Sequence, residues 1–294
     1  MLSRLAHQVY WIGRLVERSE SISLLISSYH YSATQLGEID ATEALQDLMA
    51  GFGEPGQPTP SFPQLAAWWV TDRRNPTSAA SCLVGARENA QGAREALSLE
   101  AWETLTNAVG WLEEAERQGI WYETVADRIP RFTRTFAGVV ETTMAHDDAW
   151  EVLRLGRALE RATMTLRALL IGVQAADRLE ETDPLRMHTW TVTLRACTAL
   201  DAYRRTKVTV PRAEPVIDLL LRSEICPRSV RYTVTEAQRF GPVDGDAPKL
   251  LREIEDMTAQ PVPTELMDAA ERIDLLLDLL ERAHEAIVSW WRGR

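Results

Sequence analysis

Two hexapeptides in this 294-residue chain, Gly13-Arg14-Leu15-Val16-Glu17-Arg18 and Gly156-Arg157-Ala158-Leu159-Glu160-Arg161, share the pattern G-R-x-x-E-R at a separation of 143 residues. Val9 and Ile12 ahead of the first copy match Val152 and Leu155 ahead of the second. Around the first copy, Leu5, Val9, Ile12, Val16 and Ile26 recur at helical spacing, which predicts one long helix over about 2–36. On a wheel of about 100° per residue, Arg14, Glu17, Arg18 and Ser21 fall opposite those residues. That opposite side is not purely polar. It also carries Tyr10, Leu24 and Leu25, and the second copy has Leu153, Met164 and Ala168 there. Helices that are apolar nearly all round are buried, and arginine or glutamate buried with them must be paired. A 143-residue separation is too long for a solenoid period, so duplication of a multi-helix half or convergence on one site explains it better.

Arg14 with Glu17 and Arg157 with Glu160 stand at i,i+3 and can pair within their own helices, leaving Arg18 and Arg161 for another helix or a ligand. If the copies face each other, four arginines and two glutamates converge near a bundle axis. Three readings are open for such a cluster: an ion network that fixes helix register, a solvated face, or a site for anionic or peptide groups, since guanidinium forks match carboxylates and phosphates.

Helix formers dominate elsewhere, and the alternation that marks strands is hard to find, so the fold class is all-α. Further helices are predicted at about 64–71, 77–96, 99–118, 120–143, 147–175, 185–207, 213–222, 227–239, 247–258 and 264–292. Asn75-Pro76 followed by Thr77 and Ser78, then Ser98 and Asp183-Pro184, are cap or first-turn chemistry, and Asp244-Gly245-Asp246 is a turn. Residues 51–63, GFGEPGQPTPSFP, concentrate glycine and proline and read as a mobile surface loop. No composition shift separates two domains, so residues 1–294 are read as a single elongated multi-helix bundle.

Of the net charge of −11, the stretch from Asp244 to Glu285 supplies −8, with twelve acidic and four basic residues. There is no basic stripe for nucleic-acid phosphates, so nucleic acid is excluded as a partner. No apolar run is long enough for a membrane span, and the opening MLSRLAHQVYWIGR meets charge and glycine too early for a signal peptide, so a cytoplasmic protein is expected. Cys82, Cys197 and Cys226 fit neither a disulfide framework nor a metal knuckle and read as reduced, buried thiols.

No Gly-rich phosphate loop, GxSxG or HExxH is present, so neither nucleotide binding by a familiar loop nor a familiar hydrolytic site is expected, and no cofactor is assigned. Glu281-Arg282-Ala283-His284 is an ExxH at helical spacing, but a di-iron bundle needs a second copy and two more glutamates, so no metal is assigned. Lys207 and Lys249 are the only lysines, which leaves little for Schiff-base chemistry. Trp68-Trp69 and Trp290-Trp291 are adjacent pairs that cannot both face one core, so one of each is read as free for an interface or for burial between packed helices.

The opening MLSRLAHQVYWIGRLVERSES and the second repeat over 153–165, together with Asn75-Pro76-Thr77-Ser78, Cys82-Leu83-Val84-Gly85-Ala86-Arg87-Glu88-Asn89-Ala90, Trp102-Glu103, Tyr203-Arg204-Arg205 and Cys226-Pro227-Arg228-Ser229-Val230, resemble the bacterial alpha-E family along essentially the whole chain. The chain departs from the family pattern at Thr163, where an acidic residue is expected, and at Ser21, where Asn is usual, so Glu20 alone supplies a second carboxylate. The resemblance implies an all-helical protein working beside an ATP-grasp carboxylate–amine ligase, with a transglutaminase-like or amidohydrolase-like protein nearby, on a peptide substrate. The substrate-binding set expected from the repeats and from the polar islands RENA and YRR is Arg14, Glu17, Arg18, Glu20, Arg87, Glu88, Asn89, Arg157, Glu160, Arg161, Arg204 and Arg205. Three functions compete: a non-catalytic subunit holding an acidic or peptide group, an enzyme acting on amide bonds with Glu17 or Glu160 as general base, and a purely structural scaffold. A carboxylate flanked by arginine is a poor base near neutrality, which favours the first.

Overall fold

A computed structural model describes residues 3–36, 61–181, 183–206 and 210–292. Among them are twelve α-helices and no strand. In chain order these are α1 (Ser3–Leu36), α2 (Phe62–Val70), α3 (Ala79–Gly92), α4 (Leu99–Arg117), α5 (Tyr122–Thr143), α6 (Asp148–Asp177), α7 (Pro184–Ala196), α8 (Leu200–Arg205), α9 (Ala213–Arg222), α10 (Val230–Phe240), α11 (Ala247–Ala259) and α12 (Leu266–Arg292).

The starts follow cap chemistry legible in the sequence. Ser78 accepts the amide of Ser81, Ser98 that of Ala101, and Asp183 that of Leu185 with Pro184 in the first turn. Two segments differ from expectation. The expected loop over 51–63 lies mostly outside the described residues, but its last part is helical: α2 begins at Phe62, and Ser61 forms a capping box with Gln64. The helix expected over 185–207 stops at Ala196, turns through Thr198 at φ 49°, and restarts at Leu200. Ala196-Cys197-Thr198-Ala199 contains no glycine or proline to mark that break.

The long helices α1 and α6 form the centre of the molecule. A Cβ built on Gly13 would lie 2.2 Å from the Leu153 carbonyl oxygen and 3.0 Å from the Arg157 amide, and one on Gly156 would lie 2.2 Å from the Tyr10 carbonyl oxygen. The helices therefore touch backbone to backbone, which glycine alone permits. Since Gly13 meets Leu153 and Gly156 meets Tyr10, and Ser21 and Leu25 share a crevice with Met164 and Ala168, the two helices run parallel with matching residues at the same level.

Each central helix carries its own set of packed helices. α1 packs on α3 and α5, with α4 against both. α6 packs on α10 and α12, with α11 against both. α3 and α10 even start alike: Pro76 and Pro227 each stand two residues ahead of a capping serine, Ser78 and Ser229. Two four-helix groups thus join through the α1–α6 seam, and one continuous apolar core runs through both.

Candidate functional site

The close crossing decides the pairing. With Gly13 and Gly156 in contact, the arginines of each helix reach past their own glutamate to the one on the other helix. Arg14 Nε donates to Glu160 Oε2 at 2.6 Å, and Arg18 donates through Nε to Oε1 at 2.6 Å and through Nη2 to Oε2 at 3.1 Å. In the other direction Arg161 holds Glu17 with two bonds of 2.8 Å, and Arg157 Nε lies 3.7 Å from Glu17 Oε2. The pairs expected within each helix at i,i+3 are replaced by pairs across the seam. A side chain on a parallel neighbour at the same level is as near as one on the next turn, and the glycine contact brings that neighbour unusually close.

Glu17 is 1 % exposed and Glu160 is fully buried. Burial alone would raise their pKa values, but the arginines outweigh it: Arg14 and Arg18 hold Glu160 at about 2, and Arg161, Arg228 and Arg157 hold Glu17 well below the carboxylate range. Cys82, buried near Arg18 and Glu160, is pushed up to about 12 by burial and is a thiol rather than a thiolate.

The two ends of this network are not equivalent. Arg14 has a second acceptor in the Tyr10 hydroxyl, 3.3 Å from Nη1, which is in turn 2.8 Å from His284 Nδ1. The residue matching Tyr10 on α6 is Leu153, which offers none. Arg228, from the turn before α10, donates to Glu17 Oε1 at 2.8 Å and to Glu20 Oε1 at 2.9 Å, so Glu17 carries three arginines. Glu20 also accepts from Thr133 and Arg134 of α5, whereas its counterpart Thr163 bonds back to the Leu159 carbonyl of its own helix. Arg157 is left short: its buried Nε has no hydrogen-bond acceptor. Burial first, and then repulsion from Arg161, lower its pKa against the pull of Glu17.

Arg157 and Arg161 also line a cavity of about 280 Å³ between α5, α6 and α10. Its rim is organised by Arg154, which donates to Glu141 of α5 at 2.6 Å and to both oxygens of Glu236 of α10 at 2.8 and 3.0 Å, over the faces of Trp150 and Phe240.

Of the site residues expected from the sequence, Arg14, Glu17, Arg18, Glu20, Arg157, Glu160 and Arg161 meet at the seam, and five do not join them. Arg87 faces Glu113 on α4 at 3.7 Å, Glu88 is exposed, and Asn89 bonds to the Gly85 carbonyl. Arg204 and Arg205 are exposed at the end of α8, Arg204 reaching Asp201. A polar island in an apolar helix reads alike whether it faces an interior or a groove between outer helices. Arg228 and Arg134 were missed. Arg228 lies in the Cys-Pro-Arg-Ser turn, whose proline and capping serine aim it at the seam, but nothing in a turn of that length announces an interior partner.

His284 of the ExxH segment stacks on Tyr10 at 5.6 Å instead of facing its own Glu281 across a metal position. In each tryptophan pair one member is buried and the other half-buried: Trp69 and Trp291 are in the core, with Trp68 and Trp290 packed at its edge. No helix among the described residues is long and apolar enough to cross a membrane.

The fold and seam define an all-helical protein organised around two parallel helices whose Glu-Arg steps, Glu17-Arg18 and Glu160-Arg161, lock to one another. The chain matches Alpha-E, described as a predicted alpha-helical domain with a conserved ER motif, over residues 1–290, and it belongs to that family. It is 26 % identical over 256 residues to "Uncharacterized protein Rv2567" of Mycobacterium tuberculosis (strain ATCC 25618 / H37Rv) and, over the same length, to "Uncharacterized protein Mb2597" of Mycobacterium bovis. Those matches cover 78 % of this chain but only 28 % of each relative, so the helical unit is a minor part of a much longer protein there. No solved structure matches the chain.

Proposed function

We propose that this protein is the accessory, substrate-holding component of an ATP-grasp carboxylate–amine ligase system, and that its α5–α6–α10 cavity holds an acidic or peptide group of the substrate. The observation that carries this reading is Arg157, a guanidinium set in the cavity wall with a buried Nε that has no hydrogen-bond acceptor. Around it the arginines outnumber the carboxylates: Arg14, Arg18, Arg157, Arg161 and Arg228 converge on Glu17, Glu20 and Glu160. A buried excess of positive charge is costly, and an incoming anion offsets it. A merely structural network has no need of that excess.

The carboxylates do not suit catalysis by proton abstraction. Glu17 and Glu160 are held ionised far below neutrality and their oxygens are occupied by guanidinium groups, so neither matches a general base working near pH 7. The partner supplies activation of the acyl group, and a transglutaminase-like or amidohydrolase-like protein would handle the same amide bonds. What supports this partnership is the resemblance noted from the sequence; the family match itself gives a helical domain with an ER motif.

The test is ATP-dependent amide formation by a purified ATP-grasp ligase, alone, with this protein, and with Arg157→Gln. The wild type is expected to raise the rate and Arg157→Gln to lose that effect while still co-purifying with the ligase. Equal rates in all three would end the reading, and amide chemistry by this chain alone would favour the enzyme alternative.

A further inference from the structure

The charges around the α5–α6–α10 cavity are not merely positive; they are separated. Along the inner wall, Arg157 and Arg161 meet the carboxylate of Glu17, which Arg228 also engages, so positive charge is in excess there. At the rim, Arg154 is shared by Glu141 and Glu236, a local balance of one negative charge. The inner groups are 16 % and 17 % exposed for the two arginines, and the rim carboxylates are 38 % and 24 % exposed. Arg228 adds to the inner excess, because Glu20, which accepts its other nitrogen, is shared with Arg134.

The rest of the lining is small or flat: Ala137 and Gly138 of α5, Ala158 of α6, Pro227, and Tyr232 with Thr233 of α10. A volume of about 280 Å³ lies at the lower edge of ligand cavities, too small for a long peptide. A phosphate dianion has to pass two glutamates to reach the inner wall and carries no positive end to meet them. The geometry points to a small zwitterionic α-amino acid as the occupant, its carboxylate on Arg157 and its ammonium group at the rim beside Glu141, whose Oε2 Arg154 does not engage. This assignment rests on the substrate-holding function proposed above and names the class of substrate: the free amine-side amino acid rather than the acyl side. With the carboxylate inside and the ammonium at the rim, the amino group lies at the outer opening of the cavity; it becomes a nucleophile toward a partner's activated acyl group only after losing a proton, for which solvent at the rim is the acceptor.

Calorimetric titration of the full chain with L-alanine, N-acetyl-L-alanine, L-alaninamide and inorganic phosphate tests it. L-alanine is expected to bind, with acetylation or amidation each weakening binding at least tenfold and phosphate giving no heat. Arg157→Gln should weaken L-alanine at least tenfold. Glu141→Gln, which leaves Arg154 its two bonds to Glu236, should weaken L-alanine several-fold without changing N-acetyl-L-alanine. Melting temperatures of both variants are recorded first, and Arg157→Lys, which keeps the charge but loses the fork, replaces Arg157→Gln if that variant does not fold. N-acetyl-L-alanine or phosphate binding as tightly as L-alanine would overturn the amino-acid assignment while leaving a general anion-holding function standing. Binding by none of the four would overturn both.

Discussion

The two ends of the central seam use the same six-residue pattern and arrive at different states. At the Glu160 end two arginines share one buried carboxylate, Arg14 has the Tyr10 hydroxyl as a further acceptor, and Cys82 and the Tyr10–His284 stack lie alongside, with Arg18 still 23 % exposed. At the Glu17 end a third arginine arrives from outside the repeat, Leu153 stands where Tyr10 stands opposite, and Arg157 is left without a full partner beside an open cavity. At one end both arginines have acceptors, and at the other Arg157 Nε has none. The difference lies in two matched positions, Tyr10 against Leu153 and Glu20 against Thr163, and in the reach of Arg228.

The largest expected effect comes from removing either carboxylate. Glu160→Gln strands Arg14, 4 % exposed, and takes the carboxylate from Arg18, 23 % exposed, and leaving buried charge unpaired costs about 3–5 kcal/mol. Glu17→Gln is expected to cost less, because Arg228 keeps Glu20 and the cavity admits water to Arg157 and Arg161. Urea denaturation of both variants measures the difference. Equal losses would mean that the two ends are alike in energy despite their geometry.

The glycine contact should be indifferent to which end is asked. Gly13→Ala and Gly156→Ala each drive a Cβ to 2.2 Å from a backbone oxygen that cannot move aside by rotation. Each is expected to cost about 3 kcal/mol by forcing the helices apart, and to lengthen the cross-seam ion pairs at both ends together. A loss confined to one variant would show that the crossing is not shared evenly.

Acid should act through both ends in the same direction. A carboxylate held below its unfolded value near 4.5 contributes stability that is complete above that pH and is lost as pH falls toward its folded value, about 2 for Glu160. His284 acts alike: burial, and then Arg14, hold it at about 4 against an ordinary 6.5, so its contribution is lost between about 6.5 and 4. Urea midpoints should therefore decline from pH 7 to pH 3, with a shallower decline below 4.5 in Glu17→Gln and Glu160→Gln. A midpoint that rises on acidification would contradict the assignment of both groups.

The all-helical class was legible because hydrophobic periodicity survives along the whole chain, and the caps at Ser78, Ser98 and Asp183 were legible because their chemistry is local. The meeting of the repeats was legible from apolar residues sharing a face with charged ones, a pattern that solvent-facing helices do not carry. The partner of each arginine was not. Whether Arg14 takes Glu17 or Glu160 depends on how closely the helices cross, and that is set by what Gly13 and Gly156 touch, a property of the pair rather than of either sequence. The break at Thr198 was hidden because its left-handed turn is made by a residue that gives no such signal.

The smallest expected effect separates interior from surface arginine. Arg204→Ala removes a side chain 65 % exposed whose ion pair with Asp201, 87 % exposed, spans 3.7 Å, and Arg87→Ala removes one of 30 % facing a half-exposed Glu113 at 3.7 Å. Solvent screens such pairs and each arginine gives up rotamer freedom to make them, so both substitutions should change stability by no more than about 0.5 kcal/mol. L-alanine binding should be unaltered as well, because neither residue lines the α5–α6–α10 cavity. Calorimetry and urea denaturation on the same samples read both quantities. If Arg204→Ala or Arg87→Ala weakened binding as Arg157→Gln does, recognition would extend beyond the seam, and the contrast between its two ends would no longer account for where the ligand sits.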